Sequence, residues 1–278
     1  MSIEHNVAAA LTAFISATGT QERAILIGGQ AIRDWHAAQT HALTGTAVTL
    51  PVPRATTDMD LHVIIEREER EDVARAIEAD WTPVPEGGSR VYRFTWNRDP
   101  AITLDLIATI DVQARDRVQF FAKLSTGADI GAARVLEPWI IRNHLYERCF
   151  GPSLAQLRMR RLNRLGLAAS KAGAIGQSIS ELIAASREAR EPMAWARRLD
   201  KDLQDLDLLM LPMWVDGLWE SRYESSGSDI RRAWASTIEG LISLRDRPRL
   251  LGTGTFATIV SIRERLIRSL ESIGGGAL

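Results

Sequence analysis

Two aspartates stand two residues apart in the stretch Arg54-Ala55-Thr56-Thr57-Asp58-Met59-Asp60-Leu61. The apolar run from Met59 to Ile65 reads as a strand, and in a strand residues i and i+2 point to the same side. Asp58 and Asp60 therefore face one way, Met59 and Leu61 the other. Paired hard oxygen ligands suit Mg2+ (or Mn2+), which keeps several waters and is held by one or two carboxylates together with substrate phosphates. Two such ions about 3.5 to 4 Å apart can clamp the attacking and leaving oxygens at a phosphorus atom. A second ion calls for a third carboxylate. Asp105, in Ile102-Thr103-Leu104-Asp105-Leu106-Ile107, is the best candidate, because a lone charge inside an aliphatic strand is costly without a partner. The alternative is a solvated loop-to-strand junction for Asp58 and Asp60, and a solvent-facing strand position for Asp105.

The elements that must position these acids follow from periodicity. A helix over about Val7 to Ile15 leads to Ala24-Ile25-Leu26-Ile27, a short buried strand. Gly28 and Gly29 form a strand-to-helix turn, since Ala31, Ile32 and Trp35 return at helical spacing between Gln30 and Gln39. Such a turn leaves backbone N-H groups at a helix N-terminus to hold a triphosphate; the plainer reading is a turn alone. Thr44 to Pro53 reads as a loop, and Glu66 to Asp80 as a surface helix. Arg90 to Trp96 and Ala101 to Ala108 read as an antiparallel pair across Asn97-Arg98-Asp99-Pro100. Beyond about Pro152 long helical patterns dominate. The fold class is α+β: a mixed sheet with flanking helices over 1–150, then a helical bundle over 151–278.

The chain has 278 residues, 45% of them hydrophobic, enough for two domains with real cores. With 34 Lys plus Arg against 35 Asp plus Glu the net charge is -1, so any basic surface is local. A single cysteine, Cys149, reads as structural and excludes an internal disulfide, which points to a reducing, cytoplasmic setting. No apolar run approaches the roughly 20 residues that span a bilayer. His36, His41, His62 and His144 lack ligand spacing. His62 shares the face of Asp58 and Asp60 and could approach a nucleotide. Trp195, Trp214, Trp219 and Trp234 read as helical core.

The pattern of an apolar strand ending in Gly-Gly, a helix, then Arg-x-Thr-x-Asp-x-Asp resembles the nucleotidyltransferase superfamily. The match is to the branch of AbiEii-type toxins of abortive-infection and toxin-antitoxin systems. It is carried by Leu26-Ile27-Gly28-Gly29-Gln30-Ala31 and by Arg54 to Asp60. The resemblance implies that Asp58, Asp60 and Asp105 are catalytic metal ligands, that Gly28 and Gly29 contact the triphosphate, and that Arg54 and Thr57 organise that loop. In the helical half the branch carries a Lys on one helix and Lys-Asp-x-x-Asp on another, here Lys171 and Lys201-Asp202-Leu203-Gln204-Asp205. The resemblance gives Lys171, Lys201 and Asp202 to nucleotide binding. Read alone, Lys171 shares a face with Ile175, Ser178 and Leu182 or snorkels at a helix end. The acids read as a solvated face of i,i+4 pairs, Arg198 with Asp202 and Lys201 with Asp205.

Acceptor choice is expected of the helical half, 151–278, and the local clue is charge between Arg142 and Lys171, where Arg142, Arg148, Arg158, Arg160, Arg161, Arg164 and Lys171 stand against a single acid, Glu147. Arg158, Arg160, Arg161 and Arg164 are the candidate contacts to a phosphate backbone; the alternative is an ordinary arginine-rich helix face. The resemblance implies transfer of a nucleoside monophosphate from an NTP to an RNA acceptor such as the 3′ end of tRNA, with release of pyrophosphate. It also implies a cognate antitoxin protein as partner. A small-molecule acceptor, as in antibiotic-modifying relatives, and a degenerate fold that binds nucleotide or a partner without chemistry are the competing readings.

Overall fold

The structure, a computed structural model, describes residues 3–20, 22–63, 70–84, 90–109, 122–131, 134–136, 138–187, 193–210, 239–240, 242–243, 260, 263–264 and 268. Alanine-rich α1 (Ile3–Thr18) buries Val7, Ala10, Leu11, Phe14 and Ile15, an apolar stripe at helical spacing. The four aliphatic residues of β1 (Ala24–Ile27) are all buried, as a central strand requires. The helix α2 (Gly28–Ala42) begins on the first glycine, and a loop returns the chain to β2 (Asp58–Val63).

After α3 (Arg70–Asp80) come β3 (Trp81–Pro83), β4 (Arg90–Val91), β5 (Arg93–Trp96), β6 (Asp99–Thr109), β7 (Ala122–Lys123), β8 (Asp129–Ile130) and β9 (Arg134–Leu136). Then follow α4 (Pro138–Arg142), β10 (Tyr146–Arg148), α5 (Pro152–Gln156) and β11 (Arg160–Leu162), and finally α6 (Arg164–Arg187) and α7 (Met193–Leu209).

An eight-stranded sheet runs in the order β10-β11-β1-β2-β6-β5-β3, with β9 added to the end of β6. It is mixed: β1 is antiparallel to β2 and parallel to β11, while β2 is parallel to β6 and β6 antiparallel to β5. The last of these pairings is the antiparallel pair expected around Asn97 to Pro100. A separate small sheet joins β4, β8 and β7. The face carrying Leu26, Met59, Leu61, Leu104 and Leu106 is apolar and buried. Phe14 and Trp81 meet edge to face there, ring centroids 6.1 Å apart.

The chain divides into two compact units, Met1–Asn163 and Arg164–Leu278. The first reaches past residue 150 because β10 and β11 complete its sheet. These strands are three residues each, too short to show a period, and the stretch after Pro152 therefore read as helical. In the second unit the described elements are α6 and α7. Trp195 lies on α7, whereas Trp214, Trp219 and Trp234 lie outside the described residues. Leu199, Leu203, Leu206 and Met210 form the expected buried stripe. No helix among the described residues is long and apolar enough to cross a membrane.

Candidate active site

Register brings the three acids onto one face. On the parallel strands β2 and β6, Asp58 lies opposite Thr103 and Asp60 opposite Asp105. Alternation keeps Asp58, Asp60 and His62 on the same side, with Ile27 and Ile25 of β1 beside the last two. Asp58 is exposed at the strand's mouth and accepts a hydrogen bond from the Thr103 hydroxyl at 2.8 Å. Asp60 and Asp105 are buried deeper along the strands, as is His62, whose pKa burial lowers to about 4. The imidazole is therefore neutral near pH 7.

Asp105 has the partner that its aliphatic surroundings demand. Arg93 on β5 donates from Nε to Oδ1 and from Nη2 to Oδ2, both at 2.7 Å, a bidentate ion pair. Sequence reasoning missed Arg93. The signal was the buried acid itself; the register across the hairpin, which names the partner, shifts between Thr95 and Trp96 and cannot be counted from the turn.

The two glycines seat the turn against the acid-bearing strand. Gly28 has φ +68, a left-handed conformation that side chains disfavour, and a Cβ built there would lie 1.8 Å from Asp60 Oδ2. A Cβ on Gly29 would lie 2.8 Å from the Thr56 methyl and 3.5 Å from an Arg54 guanidinium nitrogen. Two side chains of α2 hold the approach to Asp58. Gln30 Nε2 donates to the Thr56 carbonyl at 2.6 Å and Arg33 Nη1 to the Arg54 carbonyl at 3.4 Å. Within the approach, the Asp58 amide donates to Thr56 Oγ1 and the Thr103 amide to the Thr57 carbonyl. The N-cap residue of α2, Ile27, offers no side-chain hydrogen bond, and the first turn of the helix carries no acid. The positive end of α2 lies beside the Asp60 carboxylate.

The remaining expected site residues are placed differently. Arg161 is buried on the opposite sheet face, its Nε on Asp34 at 2.7 Å and Nη1 on Glu147 at 2.5 Å, so it is structural in place and withheld from any acceptor. Arg160, one residue earlier, takes the acid face beside Ile25, half-buried, with its guanidinium 5.2 Å from the Tyr146 ring centroid. Arg158 is exposed and 3.5 Å from Glu22. Arg164, in the second unit, donates to the Leu209 carbonyl at the end of α7, and burial lowers its pKa to about 9. The four arginines therefore do not share one surface: strand alternation sends Arg160 and Arg161 to opposite faces.

Lys171 is buried and donates to Asp202 and Asp205, each at 2.7 Å, inside the second unit. Asp202 and Asp205 turn inward from α7, in place of the solvated face that their spacing from Arg198 and Lys201 suggested. Lys201 is exposed. Cys149 is buried and its thiol is pushed up by burial, in keeping with a structural role.

Magnesium needs only one or two carboxylates when phosphates complete its shell. Asp58 and Asp60, aimed together from one strand, fit that requirement. Asp105 stands beside Asp60 with its oxygens engaged by Arg93. As the side chains are placed, no group of three acid, histidine or cysteine residues among those described could hold a metal ion. The chain matches no protein-family model, no curated protein and no solved structure.

Proposed function

We propose that the chain is a metal-dependent nucleotidyltransferase that moves a nucleoside monophosphate from an NTP to an RNA acceptor, after the manner of AbiEii-type toxins. The observation that carries this reading is the register of β2 on β6 with the Gly28 turn packed against Asp60: three carboxylates and the N-terminus of α2 share one end of the sheet. Asp58 and Asp60 would hold the metal, which would supply charge to offset that developing on the phosphate. The amides after Gly28 and Gly29 would receive the triphosphate, with the Arg54 guanidinium beside them. The acceptor hydroxyl would attack the α-phosphorus, forming a new P-O bond as the bond to pyrophosphate breaks.

Incubation with each labelled NTP, magnesium and cellular RNA is expected to give labelled RNA and pyrophosphate. Asp60→Asn is expected to reduce the label by at least about a hundredfold. Equal labelling by parent and variant would sink the proposal. The Arg93 clamp on Asp105 favours a second reading, a fold that binds nucleotide without transferring it; this predicts retained NTP affinity with no labelled product.

On the acid face Arg160 and its exposed neighbour in register, Arg148, are the basic groups this reading assigns to an RNA backbone. Arg148→Gln with Arg160→Gln is expected to flatten the log-log salt dependence of RNA affinity by roughly 0.7 per lost single-strand contact. Arg161→Gln carries no such expectation, because its side chain is enclosed. An unchanged slope in the double variant assigns the acceptor surface elsewhere.

A further inference from the structure

At the β10 end of the sheet two arginines stand where electrostatics opposes them. The β10–β11 pair is antiparallel, with Arg148 directly across from Arg160 and Tyr146 from Leu162. The Cys149 amide donates to the Met159 carbonyl and the Asn163 amide to the Leu145 carbonyl, so the hydrogen-bonded pairs fall on odd-numbered residues of this strand. Arg148 and Arg160 therefore form a non-hydrogen-bonded pair, the closer kind, with Cα atoms about 4.5 Å apart and both side chains on one face. Like charges placed so are destabilising. Glu147 points to the other face and is engaged by Arg161. Among the described residues neither Arg148 nor Arg160 has a carboxylate partner; Arg160 lies instead over the Tyr146 ring, 5.2 Å from its centroid.

Beside the arginines stands an aromatic platform. His144 is exposed, and its imidazole is held twice by Tyr146: Nδ1 shares a hydrogen bond of 2.7 Å with the phenol hydroxyl, and the two rings meet edge to face, centroids 5.6 Å apart. Its backbone is left-handed, φ +53, a conformation that histidine enters more readily than most residues. The His144 amide donates to the Ile141 carbonyl and the Tyr146 amide to the His144 carbonyl, which closes the turn. An exposed ring already held in place loses little freedom when a flat ligand stacks on it.

We propose that this corner of the sheet binds one nucleotide unit of single-stranded RNA, its phosphate between Arg148 and Arg160 and its unpaired base stacked on His144. The phosphate answers the paired guanidinium charges. Bases inside a duplex have no free face for the imidazole, so the platform selects unpaired strands without reading their sequence. The identity of this ligand rests on the RNA-acceptor reading, and binding is measured without NTP or magnesium so that binding and transfer fail separately.

The test titrates the full chain with labelled oligouridylate, with its duplex with oligoadenylate and with uridine monophosphate, across a salt series. The strand is expected to bind at least about tenfold more tightly than the duplex, the size of one stacked base. Asparagine accepts a left-handed backbone, so His144→Asn removes the ring alone. It should weaken strand binding roughly tenfold at every salt concentration and leave the log-log slope unchanged. Arg148→Gln should instead flatten that slope by roughly 0.7. It also relieves the arginine pair, so without ligand its urea midpoint should be no lower than the parent's, and inorganic phosphate should raise the parent's midpoint more than the variant's. Equal binding of strand and duplex, of strand and mononucleotide, or of His144→Asn and parent overturns the proposal. A lower midpoint for Arg148→Gln, or an equal response to phosphate, overturns the anion seat. A strand-selective protein that labels no RNA overturns the transferase reading and leaves this subsite intact.

Discussion

Gly28→Ala is expected to unfold at clearly lower urea concentration than the parent chain and, on the proposed function, to reduce nucleotide transfer to background. The left-handed φ of +68 alone costs a non-glycine residue about 1 to 3 kcal/mol. The larger effect is steric. A methyl 1.8 Å from Asp60 Oδ2 is far inside contact distance, so either the turn or the carboxylate must move. Asp60 is buried on a strand flanked on both sides, where its neighbours leave little room to yield. Gly29→Ala provides the comparison: its new methyl meets the Thr56 methyl at 2.8 Å, a side chain able to rotate, and it has no left-handed φ. Urea midpoints and NTP affinities of the two variants decide the matter. If Gly28→Ala matches Gly29→Ala in both, the turn does not set the position of Asp60.

The second large effect is expected at Lys171→Met. In the native unit Lys171 neutralises Asp202 and Asp205 where all three are buried. Removing the cation takes from two buried carboxylates the charge that Lys171 supplies, and breaking buried pairs of this kind costs about 3 to 5 kcal/mol. Neutralising the acids as well, with Lys171→Met, Asp202→Leu and Asp205→Leu together, should restore most of that loss, because desolvation of the ions opposes their attraction. Denaturant unfolding followed by helical circular dichroism measures both variants. A single variant as stable as the parent would mean that the pair contributes nothing net. A triple variant no better than the single one would mean that packing, rather than charge, is what Lys171 supplies.

The acids were legible in the sequence because their information is local. A two-residue spacing inside an apolar strand fixes a shared face, and a buried acid in Ile102 to Ile107 announces that something must answer it. The glycine turn was legible for the same reason: a strand that stops and a helical period that starts leave few conformations between them. What stayed hidden was long-range. Asp105 is answered by Arg93 through a hairpin register that an irregularity displaces. Asp202 and Asp205 looked like members of i,i+4 surface pairs, and only a cation from a second helix turns them inward. The run Arg158 to Arg164 read as one basic segment because charge composition carries no direction. A three-residue strand in its middle distributes Arg160 and Arg161 to opposite faces.

The position of β11 in the sheet also has a consequence for vectorial synthesis. This strand completes the flank of β1, yet it leaves the ribosome more than a hundred residues after it, and Arg161 arrives equally late for Asp34. Until then the nascent chain carries an aliphatic strand with one open edge and an acid awaiting its counter-ion. Open strand edges recruit other chains. Truncations that stop before Arg160 should therefore accumulate as aggregates, whereas those ending just after Asn163 retain the whole sheet.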